Sequence, residues 1–110
     1  MNLTSAPQIK ELLSRHSLHP KKRFGQNFLI DRNVLTKLMD AAQIGPDTLA
    51  LEIGSGLGVV TVELAARARK VICVEVDTQL YPILREVLAD ASNVEIVIQD
   101  FLKIDVCDFL

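Results

Sequence analysis

The chain has 110 residues, of which 49% are apolar and 24% are charged, a composition typical of one globular domain and not of a disordered chain. Two cysteines, Cys73 and Cys107, are too few for a disulfide framework, so we expect a reducing compartment, the cytoplasm. No apolar run approaches the roughly 20 residues of a membrane span, so we expect neither membrane insertion nor export.

The net charge of −2 hides an uneven distribution. Residues 1–40 carry a net charge of +4, whereas residues 41–110 carry −6. A local basic patch can attract a polyanion although the whole chain is acidic. Lys21, Lys22 and Arg23, with Arg32 and Lys37, are therefore candidate phosphate contacts, and a solvated basic surface is the alternative.

Residues 1–48 predict two helices joined by an irregular basic segment. Ser5 and Gln8 have capping-box spacing, which predicts a short amphipathic helix that begins near Ala6. Asp31 is a suitable N-cap for a second helix, which Gly45-Pro46 ends. The apolar face of that helix would consist of Val34, Leu35, Leu38, Met39 and Ala42.

From residue 49 onward, short apolar runs alternate with helical patterns. Residues 49–53, 71–76 and 94–98 predict strands, the first of them buried, and residues 60–68 predict a helix between the first two. A further helix is expected after its N-cap Asp77, with Pro82 tolerated in the first turn. Its core face would be Leu80, Ile83, Leu84, Val87 and Leu88.

This order of elements indicates the opening half of a doubly wound α/β fold with a parallel sheet. We therefore treat residues 49–110 as the first half of such a domain and residues 1–48 as a preceding helical and basic segment. Three parallel strands leave at least one edge uncovered, so we expect further strands to follow Leu110 in the native protein. His16 and His19 are expected on the surface, and Cys73 in the core.

A glycine-rich turn follows the first predicted strand. Residues 52–58 (EIGSGLG) place Gly54, Gly56 and Gly58 where positive φ and close approach of a ligand are favoured. The dinucleotide-binding pattern needs Gly or Ala at the position that Val59 occupies, so a pyrophosphate is disfavoured. A tight strand-to-helix connection without a ligand is the alternative.

Two carboxylates follow the next two predicted strands. Glu75 can accept both hydroxyl protons of a ribose, and Asp100 can accept from an exocyclic amine such as that of adenine. Ligands of these folds bind outside the carboxyl ends of the strands, so the glycines and both carboxylates should converge on one crevice. The sequence thus predicts a nucleoside pocket, although either carboxylate taken alone could be a loop acid or a helix cap.

These segments resemble the first three motifs of Rossmann-like S-adenosylmethionine-dependent methyltransferases. The quoted stretches are residues 52–58, residues 74–77 (VEVD) and Gln99-Asp100. Residues 22–29 (KRFGQNFL) are more specific and are similar to the rRNA adenine N6,N6-dimethyltransferases, the KsgA, Dim and Erm group. Ser55 stands where relatives often have Pro, which leaves the glycine positions intact.

The resemblance implies an enzyme that transfers methyl groups from S-adenosylmethionine to adenines of small-subunit rRNA. It also implies that Asn27 and Leu29 contact the methionine portion of the cofactor, with Gly54 and Gly56 beneath it, Glu75 at the ribose and Asp100 at the adenine. Relatives continue to an Asn-Leu-Pro-Tyr segment that holds the target base, and this tetrapeptide is not in the sequence. We therefore predict no catalytic residue in the chain, no metal site and no catalysis by residues 1–110 alone.

Two other functions remain open at this point. One is a non-catalytic module that binds S-adenosylmethionine or RNA during ribosome assembly. The other is a nicotinamide-dependent oxidoreductase, which the glycine spacing disfavours. The sequence does not indicate which adenines would be modified, or the oligomeric state.

Overall fold

Three parallel strands form the centre of the structure, β1 (Leu49–Ile53), β2 (Lys70–Glu75) and β3 (Val94–Ile98). The computed structural model describes residues 6–18 and 31–109. The strand order is β1-β2-β3, with both neighbours parallel to β2. The predicted α/β class and all three predicted strands are confirmed.

The central strand β2 carries most of the burial in the sheet. Val71, Ile72 and Val74 are buried, as is Cys73, which confirms the expectation for that cysteine. β-Branched residues suit a strand that is packed on both faces and has a neighbour on both sides.

The expectation of a buried first strand is wrong for β1. Only Ala50 is buried in this strand, and the side chain of Ile53 is 55% exposed. β1 pairs only with β2, so within the described residues it is an edge strand and one side of it lacks a neighbour. An apolar run in the sequence indicates a hydrophobic strand, but it does not show whether that strand lies at the edge of the sheet.

Two helices connect the strands, α3 (Val59–Arg67) and α4 (Tyr81–Val87). Asp77 caps a 3₁₀ turn, Thr78–Leu80, and only then does α4 begin, so the predicted single helix consists of two pieces. Pro82 lies in the first turn of α4, as predicted. Of the predicted core face, Leu80, Ile83, Leu84 and Leu88 are buried and Val87 is partly buried.

The N-terminal helix α1 (Ala6–Arg15) forms as predicted and packs beside the glycine turn. Its three buried residues, Ile9, Leu12 and Leu13, share one cluster with Leu57 of the glycine turn and with Leu80 and Ile83. α1 is therefore tied to the segment between β1 and α3 and to the start of α4, both of which are distant from it in sequence.

Helix α2 (Arg32–Ala41) begins at the predicted cap. Asp31 accepts hydrogen bonds from the backbone N–H groups of Asn33 and Val34 at 2.8 and 3.2 Å. The predicted apolar face is too wide, because only Leu35 and Met39 are buried, while Val34, Leu38 and Ala42 are exposed. Leu35 and Met39 pack in one cluster with Leu64 of α3, and this contact needs only a narrow stripe of α2.

His16 is not the simple surface residue that the sequence predicts. Its Nε2 lies 3.4 Å from Glu86 Oε1 of the α4 helix, and Arg15 Nη2 lies 3.0 Å from Glu86 Oε2. These contacts join the end of α1 to α4. His19 lies outside the described residues.

The segment after β3 forms two short 3₁₀ turns, Phe101–Lys103 and Val106–Phe109. Leu102 is 91% exposed, so this segment contributes little to the core of the described residues. Across residues 6–18 and 31–109, no helix has the length and apolarity needed to cross a membrane.

Candidate functional site

The glycine turn after β1 has the backbone that the sequence predicts. Gly54, Gly56 and Gly58 have φ angles of 77°, 58° and 88°, a region that L side chains rarely adopt. The N–H groups of Gly54 and Ser55 donate to the carbonyl oxygen of Val74 at 2.8 and 3.3 Å. The turn is thus fixed against the end of β2.

Glu75, the last residue of β2, binds this turn directly. Its Oε1 accepts from the Gly56 N–H at 2.8 Å and its Oε2 accepts from the Asp77 N–H at 2.9 Å. Glu75 is only 3% exposed, so both hydrogen bonds are shielded from water. The carboxylate holds the turn after β1 to the turn after β2, and each oxygen keeps a lone pair for a further donor.

Asp100 lies at the same edge of the sheet, after β3. The N–H of Gln99 donates to the carbonyl oxygen of Glu75 at 2.9 Å, which sets Asp100 beside the end of β2. Asp100 Oδ1 accepts from the Leu102 N–H at 3.0 Å and so caps a 3₁₀ turn. One carboxylate oxygen, Oδ1, therefore acts as a helix cap, which is the alternative role that the sequence left open for Asp100.

The structure thus brings together Gly54, Gly56, Glu75 and Asp100, four of the six residues expected to bind a cofactor. Asn27 and Leu29 lie outside the described residues, so their predicted contacts with the methionine portion remain predictions. A Cβ atom added to Gly54 would have no atom of the chain within 4 Å, so the space beside this glycine is open.

Glu52, two residues before Gly54, provides a second carboxyl group near the turn, and this residue is partly buried. It accepts a short hydrogen bond from the Thr61 hydroxyl of α3, and Thr61 is fully buried. Burial raises the pKa of Glu52 to about 7; hydrogen bonds from Thr61 and Ser55 act in the opposite direction, and the charge of Glu75 adds to the rise. Glu52 therefore changes its charge near neutral pH.

Cys73 lies opposite Glu52 in the register of β1 and β2. Burial raises the pKa of its thiol to about 11, against a hydrogen bond with Ser55, and the charges of Glu52 and Glu75 raise it further. The thiol is therefore protonated at neutral pH and is a packing residue.

Three acidic side chains, Glu52, Glu75 and Asp100, lie at or near this edge of the sheet. Within residues 6–18 and 31–109, no Lys, Arg or His makes an ion pair with Glu52, Glu75 or Asp100. A carboxylate accepts hydrogen bonds and can bind a ligand that offers hydroxyls or an amine. Nor does this part of the chain contain a group of three or more metal-ligating side chains.

A family model described as ribosomal RNA adenine dimethylase matches residues 17–110. The chain belongs to this family. The match includes all four of the convergent site residues and the segment that contains Asn27 and Leu29.

Individual members of this family are also similar to the chain in sequence. The ribosomal RNA small subunit methyltransferase A of Geobacillus thermodenitrificans is 48% identical over 104 residues, which cover 94% of this chain and 36% of that protein. The chain thus spans about a third of the length of this relative.

Two solved structures share the fold. The crystal structure of the 23S rRNA methyltransferase ErmE matches with a TM-score of 0.67 and 43% identity, over 72% of this chain and 32% of that one. A dimethyladenosine transferase from Plasmodium falciparum matches with a TM-score of 0.64 and 30% identity, over 68% of this chain and 28% of that one.

The hydrogen bond between Glu52 and Thr61 was not predicted from the sequence. In the sequence, Glu52 is distinguished only as the acidic residue before the glycine motif. An acidic residue inside an apolar strand is, however, itself a signal of a functional position. Thr61 had no distinguishing feature, because a buried threonine in a helix does not reveal its hydrogen-bond partner.

Replacement of single glycines separates backbone strain from packing. We expect Gly54→Ala to lower the free energy of unfolding by about 1–2 kcal/mol, because alanine is strained at φ 77° although the space is open. Gly58→Ala should cost about 1–3 kcal/mol more, because its Cβ would lie 3.3 Å from Leu84 and Val87 side-chain atoms.

Gly45→Ala is the matched control for these variants, since its backbone is not left-handed and its Cβ would meet nothing within 4 Å. It should raise the free energy of unfolding by about 0.4–1 kcal/mol. Urea unfolding measures all three variants, and equal losses for Gly45→Ala and Gly58→Ala would contradict the assigned geometry.

Glu52 should make stability depend on pH. Its pKa rises from 4.5 to about 7 on folding, so between these values the folded chain binds more protons than the unfolded chain. The free energy of unfolding should therefore fall as pH rises from 4.5 to 7 and level off above 7. Glu52→Gln should remove this part of the fall, as measured by urea unfolding at a series of pH values.

The control for this series is Glu95→Gln, on an exposed position of β3. It should keep the fall of the unmodified chain between pH 4.5 and 7. A Glu52→Gln variant with the same pH profile as Glu95→Gln would show that Glu52 is not the responsible group.

Proposed function

We propose that this chain forms the cofactor-binding part of an rRNA adenine N6,N6-dimethyltransferase. The whole protein would transfer methyl groups from S-adenosylmethionine to adenines of small-subunit rRNA in the cytoplasm. Membership in the adenine dimethylase family supports this reaction class. The name of the Geobacillus relative supports the small ribosomal subunit as the source of the RNA.

One observation carries the cofactor assignment, the joining of the glycine turn to Glu75. The 2.8 Å hydrogen bond between Gly56 N and Glu75 Oε1 places a backbone that a ligand can approach next to a buried acceptor. Asp100 adds a second acceptor at the same edge. A ribose and an adenine amine supply the donors that these carboxylates lack.

The charge of the site fits the same cofactor. S-adenosylmethionine carries a sulfonium cation that supplies an activated methyl group when it is bound. Glu52, Glu75 and Asp100 make a negative environment with no ion-pairing cation among the described residues. Such an environment attracts a cationic ligand and opposes a pyrophosphate, which argues against the nicotinamide alternative.

Binding of the cofactor tests this assignment. Calorimetric titration should show saturable binding of S-adenosylmethionine and S-adenosylhomocysteine to the chain, and no binding of nicotinamide adenine dinucleotide. Glu75→Ala and Asp100→Ala should each weaken both complexes at least about tenfold, because each removes an acceptor for a ligand donor.

Asp105→Ala is the control for Asp100→Ala. Asp105 Oδ1 accepts from the Cys107 N–H at 3.0 Å, so it caps a 3₁₀ turn in the same way as Asp100 but farther along the chain. It should leave affinity unchanged. A folded chain that binds neither sulfur ligand would contradict the cofactor assignment, and preference for the dinucleotide would favour an oxidoreductase.

The RNA assignment predicts a dependence on the basic segment. Replacement of Lys21, Lys22 and Arg23 by Glu should weaken binding of the chain to small-subunit rRNA and reduce the salt dependence of that binding. Each lost phosphate contact lowers the slope of log affinity against log salt by about 0.7 to 0.9. Filter binding at several salt concentrations measures both effects.

An equal change of charge elsewhere provides the control. Arg69, Lys70 and Lys103 are exposed, and their replacement by Glu should change affinity and slope less. Equal effects of the two triple variants would indicate attraction by net charge alone. Tight binding of rRNA with no methyl transfer by the whole protein would favour the non-catalytic assembly module.

A further inference from the structure

Helix α1 packs against both backbone turns that the Glu75 carboxylate joins, although it precedes the part of the chain that matches the family model. That match begins at residue 17, after the last residue of α1. The apolar cluster that contains the buried face of α1 also contains one leucine from each turn, Leu57 and Leu80. The helix therefore contacts the proposed cofactor site from the side of the protein core.

Leu57 is the apolar anchor of the glycine turn. The other residues of this turn, 54–58, are three left-handed glycines and a serine, so Leu57 supplies its one large apolar side chain. This side chain is buried in the cluster with α1. Leu57 directly follows Gly56, whose N–H donates to Glu75 Oε1 at 2.8 Å. Packing against α1 therefore restricts the position of this N–H in a backbone that glycine otherwise leaves flexible.

Leu80 has the same relation to the turn after β2. It is buried in the cluster with α1, whereas Val76 at the start of this turn is exposed. The Leu80 N–H donates to the carbonyl oxygen of Asp77 at 3.1 Å, and the Asp77 N–H donates to Glu75 Oε2 at 2.9 Å. Each backbone donor to Glu75 thus lies close in sequence to a leucine that packs with α1.

Contacts at its C-terminal end hold α1 in this position. Ser17 has a left-handed φ of 57°, and the Leu18 N–H donates to the carbonyl oxygen of Leu13 at 2.8 Å, the geometry of a Schellman helix end. Leu18 then packs against the same apolar cluster. Arg15 contacts both carboxylate oxygens of Glu86 in α4, at 3.2 and 3.0 Å. The end of the helix is therefore fixed to α4 as well as to the cluster.

We propose that α1 positions the cofactor site, with the fully buried Leu12 as the positioning residue, by holding the two turns that Glu75 joins. The inference rests on the proposed function, because it assigns α1 to binding of the same cofactor. Leu12 acts through Leu57 and Leu80 and does not touch the ligand. If α1 is loosened, the turns must be ordered when the ligand binds, and the free energy of that ordering lowers the affinity.

A graded series of variants at position 12 tests this role. Leu12→Met conserves the side-chain volume, Leu12→Val removes part of it, and Leu12→Ala removes most of it. The same three changes at Leu64 of α3 are the matched controls. Leu64 is also a buried leucine, but its cluster contains no residue of either turn. Both series lower the stability of the fold by the same mechanism, so a difference in ligand affinity reports the position of the change.

Calorimetric titration of the folded variants with S-adenosylhomocysteine measures this affinity. We expect Leu12→Ala to weaken binding on the order of tenfold and Leu12→Val about threefold, whereas Leu12→Met should keep the affinity of the unmodified chain. The Leu64 variants should all keep it. Equal losses in the two series would overturn the inference. If Leu12→Ala does not fold, the comparison of Leu12→Val with Leu64→Val decides in the same way.

Amide hydrogen exchange without any ligand gives a second readout. In Leu12→Ala, the N–H groups of Gly56 and Asp77, which donate to Glu75, should exchange on the order of tenfold faster relative to the Val71 N–H. The Val71 N–H is hydrogen-bonded at the opposite end of β2 and is the internal reference. A general loss of stability would accelerate all of these groups alike. An unchanged ratio of exchange rates would therefore overturn the inference.

The outcomes separate this inference from the proposed function. If S-adenosylhomocysteine binds to the unmodified chain and the changes at Leu12 and Leu64 have the same effects, the positioning role of α1 fails while the cofactor assignment stands. If neither S-adenosylmethionine nor S-adenosylhomocysteine binds to the folded unmodified chain, the cofactor assignment itself fails. The inference then fails with it, whatever the exchange rates of the turn amides.

Discussion

The hydrogen bonds of the Glu75 carboxylate are the constraint on which the site depends. One oxygen holds the glycine turn after β1 and the other holds the turn after β2. Three left-handed glycines would otherwise leave the first turn with many accessible conformations. Two backbone donors offset part of the cost of burying this carboxylate. The residue that we propose as the ribose acceptor therefore also orders the backbone of the glycine turn.

Much of the architecture follows from local patterns in the sequence. Residues 49–53 and 94–98 were predicted as strands and form β1 and β3 with these bounds, because each is a short apolar run between turn residues. The cap of α2 at Asp31 and the glycine φ angles were equally predictable, since both express the chemistry of single residues. The four convergent site residues follow from the rule that parallel strands end at one edge.

Features that depend on packing between distant segments were not predictable. Within the described residues β1 lies at an edge of the sheet, and this position follows from the strand order and not from the composition of the strand. Val34 and Leu38 resemble core residues in their spacing, but α3 covers only a narrow part of α2. His16 lies against Glu86 of α4 because α1 docks there, and the pairing of Glu52 with Thr61 joins a strand to the following helix across the glycine turn.

The docking of α1 also sets an order of events during synthesis. Ile9, Leu12 and Leu13 leave the ribosome early, yet their partner Ile83 is 70 or more residues further along the chain. At about 5–20 residues per second, these apolar side chains wait roughly 4 to 15 s for that partner. During this interval α1 is a short amphipathic segment too small to be a stable helix alone. Helix α1 can therefore be buried only after residue 83, some 70 positions further along the chain, has been made.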